Sequence, residues 1–139
     1  MTPQQLAAIH AECFTVPRPW SAEEFADLLA SDTTFLCAQP DGFALGRTAG
    51  PEAELLTLAV RPAARGKGLG RQLLRQYEAE ARKRAATEAF LEVAVDNDAA
   101  IHLYRSEGYR DAGWRKDYYE GPTGSTVSGL VLSKELAPE

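Results

Sequence analysis

The sequence is poor in the features that mark membrane, secreted and fibrous proteins. No stretch approaches the ~18 consecutive apolar residues of a membrane-spanning helix. The start, Met1-Thr2-Pro3-Gln4-Gln5, has neither the basic nor the apolar region of a secretory signal. Cysteine is scarce, with Cys13 and Cys37 the only two in 139 residues, which excludes a disulfide scaffold and suits a reducing compartment. Basic charge is in deficit, 15 Lys and Arg against 20 Asp and Glu, and the net -5 argues against nucleic acid as the main partner. With 45% hydrophobic and 25% charged residues the chain has the composition of an ordinary globular protein, neither disordered nor collagen-like. Its length is that of one domain, 1–139. A single cytoplasmic domain with no membrane association is expected.

Several chemical motifs are absent as well. No GxSxG elbow is present, and neither cysteine lies in a reactive-looking motif. His10 and Cys13 are three apart on a helix, but nothing supplies the further ligands of a metal site, so both read as packing residues and no metal is expected. His102 reads as solvated.

What is present is a charge asymmetry. Residues 61–84 carry eight basic side chains against Glu78 and Glu80, a local net of +6, while the rest of the chain is -11. A basic island in an acidic chain points to a small anionic ligand there and to an acidic surface elsewhere. Within it, Arg82, Lys83 and Arg84 read as a solvated helix face.

The order of elements is α/β. A helix is expected over 3–15. Ser21 and Glu24 form a capping box for a second helix, with Trp20 and Phe25 at the spacing of a hydrophobic staple. Strands are expected over 33–39, 43–48 and 54–60, then a helix over about 69–86. A strand over 89–95, apolar on both faces apart from Glu92, makes a βαβ unit with a parallel pair. Asn97 caps a short helix that Gly108 ends, and strands over about 109–119 and 126–134 flank the turn Gly121-Pro122-Thr123-Gly124. The expected fold is a mixed sheet with about four helices.

The most informative segment is Val60-Arg61-Pro62-Ala63-Ala64-Arg65-Gly66-Lys67-Gly68-Leu69-Gly70-Arg71. Three alternating glycines stand between the end of a strand and the start of a helix. Glycine lets another group approach the main chain closely, and free N–H groups at a helix N-terminus converge on phosphate. Arg65, Lys67 and Arg71 add charge for a pyrophosphate. The glycines fall as GxGxG, so this is not a GxGxxG dinucleotide fingerprint; with no Lys-Ser/Thr pair after it, it is not a P-loop either.

Glu92 is the odd residue in Phe90-Leu91-Glu92-Val93-Ala94-Val95. A carboxylate there is desolvated, which raises its pKa and makes it a better base, or it is a rim group paired with an arginine. Tyr104 fits either helix packing or proton donation, Asn97 either a helix cap or a ligand contact, and Tyr118 and Tyr119 either a substrate groove or strand filling.

Arg65-Gly66-Lys67-Gly68-Leu69-Gly70 after Leu58-Ala59-Val60 resembles the acetyl-CoA signature of the GNAT N-acetyltransferase superfamily, and the likeness covers nearly the whole chain. Trp20-Ser21, Leu91-Glu92-Val93, Asn97, Ala99-Ala100-Ile101, Leu103-Tyr104, Gly108-Tyr109 and Arg115-Lys116-Asp117-Tyr118-Tyr119 resemble its RimI-like branch, which acetylates the N-terminal alanine of a ribosomal protein. The resemblance implies a GNAT fold whose βαβ core binds acetyl-CoA. The backbone of Leu58, Ala59 and Val60 would bind the pantetheine arm and acetyl carbonyl. Residues Arg65, Gly66, Lys67, Gly68, Leu69, Gly70 and Arg71 would hold the pyrophosphate, and Asn97 would contact the donor. Glu92 takes the position of general base and Tyr104 that of general acid, with transfer direct in a ternary complex. The acceptor implied is a protein N-terminus. A short N-terminal region and the compact connection 47–54 depart from the pattern on the peptide-binding side. A small amine, a polyamine or a lysine side chain therefore stays open as acceptor. A CoA-binding module without turnover is the more distant alternative.

Overall fold

Thr2 opens the first helix by a reciprocal cap. Its hydroxyl accepts the Gln5 N–H at 3.1 Å, and the Gln5 side chain accepts the Thr2 N–H at 2.8 Å. The computed structural model describes residues 1–15, 18–120 and 126–138, with the backbone alone for Asp117 and Glu120. Pro17 and the expected turn at Gly121-Pro122-Thr123-Gly124 lie outside the described residues. Helix α1 spans Pro3–Cys13 and α2 spans Ala22–Leu29. The expected box at α2 is present, with the Ser21 hydroxyl accepting the Glu24 N–H and the Trp20 and Phe25 rings 5.5 Å apart.

Strands β1 (Thr34–Gln39), β2 (Gly42–Ala49) and β3 (Glu52–Val60) follow as an antiparallel meander. A 3₁₀ turn at Pro62–Ala64 leads to α3, Leu69–Lys83, and then to β4, Glu88–Ala94. The last elements are α4 (Asp98–Ser106), β5 (Arg110–Glu120) and β6 (Thr126–Glu135). Helix α3 ends three residues short of the expected position. Ala85 adopts a left-handed φ of 67°, and the Ala86 N–H bonds back to the Ala81 carbonyl at 3.0 Å, a closing turn that glycine usually makes.

The sheet runs β1-β2-β3-β4-β6-β5, with β3–β4 its one parallel pair among the described residues. Helices α3 and α4 cover one face, where Leu73, Leu74, Tyr77 and Ala81 pack on Ala53, Leu55, Leu91 and Leu132. Helices α1 and α2 cover the other face at β1–β3, burying Leu6, Ile9 and Phe25 against Phe43, Leu45 and Ala59. Each core leucine contributes about 2–5 kcal/mol by the cost of its truncation.

The parallel pair is short. It runs from Glu52 opposite Glu88 to Leu55 opposite Leu91 and stops. Beyond that point β3 stays on β2 through Val60, and β4 stays on β6 through Ala94. A register shift between β2 and β3 at Leu45/Gly46 bends β3 at the same level. The two strands therefore diverge and leave facing edges, 56–60 and 92–94, with no ladder between them.

Candidate active site

A cleft of about 1510 Å³ occupies this divergence. It is lined by Leu58, Ala59 and Val60 on one side and by Glu92, Val93 and Ala94 on the other. The glycine loop stands at one end and Tyr104, Tyr118 and Tyr119 at another. Of the donor-binding residues expected from the sequence, Leu58, Ala59, Val60, Arg65, Gly66, Gly68, Leu69, Gly70 and Asn97 border this one space; Lys67 and Arg71 do not.

The loop owes its shape to two glycines. Gly66 and Gly68 have φ of 80° and 82°, in the left-handed region that L side chains resist, and both face open space. Gly68 is the N-cap of α3 and supplies no side-chain acceptor, and the first turn holds no acidic residue. The first N–H groups of α3 therefore have no partner within the helix and lie at its positive end, which suits an anion. The arginines are less free than their spacing suggests. Arg65 Nε donates to the Val60 carbonyl at 3.0 Å, and Cys13 Sγ donates to the same oxygen at 3.2 Å. Arg71 is drawn to Glu107, which also accepts from Arg75 at 2.7 Å. Chiefly through the Arg75 bond, the Glu107 carboxyl is lowered to about 2. Glu107 belongs to the end of α4, so no spacing rule in the sequence revealed this partner.

Glu92 sits on β4 on the face opposite α3. That face is open over β4–β6 because α1 and α2 stop at β3. Its side chain is 20% exposed, and Oε1 is buried without a hydrogen-bond partner. Arg115 Nε comes within 3.2 Å of Oε1 but out of line for a hydrogen bond, so the contact is one of charge alone. Burial raises the Glu92 pKa above the ordinary carboxylate range, Arg115 opposes that rise, and Glu54 adds to it. The two sequence readings of Glu92 thus coexist: it is desolvated and it has an arginine nearby.

Tyr104 packs in the core and also reaches the cleft; it is 6% exposed, and its ring lies 6.0 Å from that of Tyr109. Burial pushes its hydroxyl pKa upward and keeps it protonated. Asn97 caps α4, its Oδ1 accepting the Ala100 N–H at 3.3 Å, while facing the cleft. Tyr119 is half-buried, with its pKa raised first by burial and then by the Glu92 charge, which places it on the groove side. Glu54, Arg115 and Gly129 also surround Glu92, and sequence reading assigned none of them a role there. Arg115 lies in the segment that resembles the RimI-like branch, and nothing in the residues beside Gly129 marks it as a neighbour of Glu92.

The remaining candidates resolve simply. His10 is buried, accepts the Trp20 N–H at Nδ1 at 2.9 Å and meets the Thr57 hydroxyl at Nε2 at 2.9 Å. Burial lowers its pKa to about 4, so it is a neutral packing residue. His102 is exposed. Among the described residues no cluster of three or more His, Cys, Asp and Glu stands ready to hold a metal ion, and no helix is long and apolar enough to cross a membrane.

Diverging parallel strands, with a glycine-shaped helix N-terminus at one end of the gap and a desolvated carboxylate across it, define a group-transfer enzyme of the N-acetyltransferase fold. The chain matches the Acetyltransferase (GNAT) family over residues 4–109 and belongs to it. It is 38% identical over 125 residues to the N-alpha-acetyltransferase RimI of Mycobacterium tuberculosis, a match that spans 84% of this chain and 77% of that protein. It is 35% identical over 134 residues to the [ribosomal protein bS18]-alanine N-acetyltransferase of Escherichia coli, spanning 91% and 90%. The crystal structure of the ribosomal-protein-S18-alanine N-acetyltransferase from Escherichia coli superposes with a TM-score of 0.83 at 30% identity, over 96% of this chain and 86% of that one. The protein is an acetyltransferase of RimI type.

Proposed function

We propose that this enzyme transfers the acetyl group of acetyl-CoA to the N-terminal α-amino group of a protein, of the ribosomal-protein alanine type. Donor and acceptor are held together in a ternary complex. The observation that carries this reading is Glu92, a desolvated carboxylate that lines the cleft where β3 and β4 part and whose Oε1 accepts no hydrogen bond, on the face the helices leave open. An α-ammonium has a pKa near ~8, and raising the Glu92 pKa narrows the gap that proton transfer must cross.

Acetyl-CoA enters as a substrate whose pyrophosphate rests on the N–H groups of the glycine loop and whose arm follows the free edge of β3 at Leu58, Ala59 and Val60. Glu92 takes a proton from the ammonium, directly or through water. The amine nitrogen attacks the thioester carbonyl carbon, and backbone N–H groups of β3 hold the oxyanion that forms. As the amide forms the nitrogen sheds its second proton and the carbon–sulfur bond breaks; Tyr104, kept protonated by burial, passes its own proton to the departing thiolate and takes up the one the nitrogen releases. Asn97 orients the donor from the start of α4, and this sequence of steps uses no metal. The acidic bulk of the chain complements a basic acceptor tail, and the enzyme acts as one domain in the cytoplasm.

The test is thiol release from acetyl-CoA against a peptide panel. Peptides of ribosomal type with N-terminal alanine are expected to turn over, and the same peptides blocked at the N-terminus are not. Turnover that persists on blocked peptides through internal lysines, or that favours small amines, would overturn the acceptor assignment and leave the enzyme class standing. Tight acetyl-CoA binding with no turnover on any acceptor would favour a binding module.

A further inference from the structure

Arg115 reaches Glu92 from two strands away, and it does so over a residue that has no side chain. Ala94 on β4, Gly129 on β6 and Arg115 on β5 stand in one row across the sheet. Glu92 lies two residues before Ala94 on the same face, and its carboxylate leans over the glycine. A Cβ on Gly129 would meet Glu92 Oε1 at 3.1 Å and its Cδ and Cγ at 3.3 Å. Arg115 Nε approaches the same Oε1 to 3.2 Å from the far side. Its guanidinium lies 4.8 Å from the centroid of the Tyr118 ring, and its side chain is 59% exposed.

These features describe a cation that is near enough to act by charge and yet loosely held. It makes no hydrogen bond to Oε1, it stands at the solvent edge, and an exposed contact of this kind is weak. The other charged and titratable groups facing Glu92 do not duplicate it. Glu54, from β3, is an acid occupied by Arg47 at 2.6 Å; Tyr119, from β5, has a raised pKa; and Gly129, from β6, has no charge to offer.

We propose that Arg115 is a positioning residue that stands in for the acceptor's ammonium over Glu92 Oε1 and yields that place when the acceptor arrives. This inference rests on the reading of Glu92 as the base. Between turnovers the guanidinium keeps the carboxylate ionised and laid over Gly129, on the β6 side of β4. An arriving α-ammonium offers the same charge with N–H groups that can align on Oε1, so it replaces a contact of charge with a charge-assisted hydrogen bond. The exposed arginine then moves to solvent against Tyr118.

The experiment compares the whole parental chain with Arg115→Gln and Arg115→Lys in two ways. The Glu92 carboxyl is titrated by NMR with carbon-13 label, its signal assigned by its loss in Glu92→Gln. The dependence of kcat/KM on pH is measured with an N-terminal alanine peptide. In Arg115→Gln the Glu92 midpoint is expected to rise, and the acid limb of kcat/KM to move up by the same amount. The activity at the foot of that limb falls by about threefold to tenfold, as for loss of one nearby opposite charge. Arg115→Lys is expected to restore most of both, because it keeps the charge. A folded Arg115→Gln protein with neither the midpoint nor the limb displaced, alongside an inactive Glu92→Gln, would overturn the role of Arg115 alone. A displaced midpoint with an unmoved limb and an active Glu92→Gln would overturn the base reading and this role with it.

Discussion

Two carboxylates in this molecule occupy ground where a carboxylate is costly, and the chain treats them in opposite ways. Glu78, on α3, is 4% exposed and fully answered: Lys134 donates to its two oxygens at 3.0 and 3.2 Å, and the Tyr109 hydroxyl donates at 3.0 Å. Glu92, across the sheet, is less buried, yet its Oε1 is left without a hydrogen bond. The more buried of the two is the one whose partners are complete, so satisfaction rather than depth sets them apart. A buried charge whose partners are complete ties elements together, here α3 to β6 and to the start of β5. A charge left incomplete beside a cleft is available for chemistry, and the rest of the fold carries its cost.

The sharpest way to break this contrast is to neutralise Glu92. Glu92→Gln keeps the shape and removes the base, and kcat/KM is expected to fall by about 10²–10⁴, the usual contribution of a general base. Acetyl-CoA affinity and melting temperature should stay near parental values. A rate equal to the parent's in a protein that binds acetyl-CoA normally would end the assignment.

The mirror experiment is Glu78→Leu, which leaves the half-buried Lys134 without its partner. It is expected to destabilise the fold by about 3–5 kcal/mol in denaturant unfolding, with activity per folded molecule preserved. Adding Lys134→Leu should recover much of the loss. Selective loss of turnover without loss of stability would place Glu78 in the chemistry and dissolve the comparison.

The donor end of the cleft gives a smaller effect. Gly68→Val forces a β-branched side chain into a left-handed φ at the mouth of the phosphate cradle. Roughly 1–2 kcal/mol of strain is expected there, as well as a clear loss of acetyl-CoA affinity by calorimetry. A folded variant with unchanged affinity would count against the cradle.

The smallest effect is in the pH dependence of stability. Because the Glu92 pKa is raised on folding, the folded state binds its proton more readily than the unfolded chain does. This group therefore costs stability once pH rises through the window between the two pKa values, and the cost is absent below it. Glu92→Gln should melt slightly above the parent at pH 7, and the difference should vanish near pH 4. A lower melting temperature at pH 7 would mean that Arg115 outweighs burial at Glu92.

Much of the scaffold was legible along the chain because it is governed by local rules. Ser21 and Glu24 announce α2 by a reciprocal cap that spans four residues, and Leu73, Tyr77 and Ala81 recur at one helical period. Gly66 and Gly68 mark positive φ where a strand gives way to a helix, and Glu92 stands out as an acid in an apolar strand. The end of α3 was misjudged because Ala85 closes it in a conformation that its own residue type does not advertise. The Thr2 and Gln5 box was missed although its signal, a threonine three residues before glutamine, was on view.

The periods, the caps, the glycine loop and the oddity of Glu92 are written into the order of residues, since each depends on neighbours within one turn or one strand. The end of the parallel pair at Leu55 and Leu91, the place of β6 between β4 and β5, and the groups that answer each charge arise only when distant segments pack together. Lys134 meets Glu78 across 56 residues, Glu107 takes Arg71 across 36, and Arg115 comes to Glu92 over Gly129. An alternating pattern states which face of the sheet a side chain occupies. The register of distant strands states what it meets there, and it is set by the packing of the whole sheet against its helices.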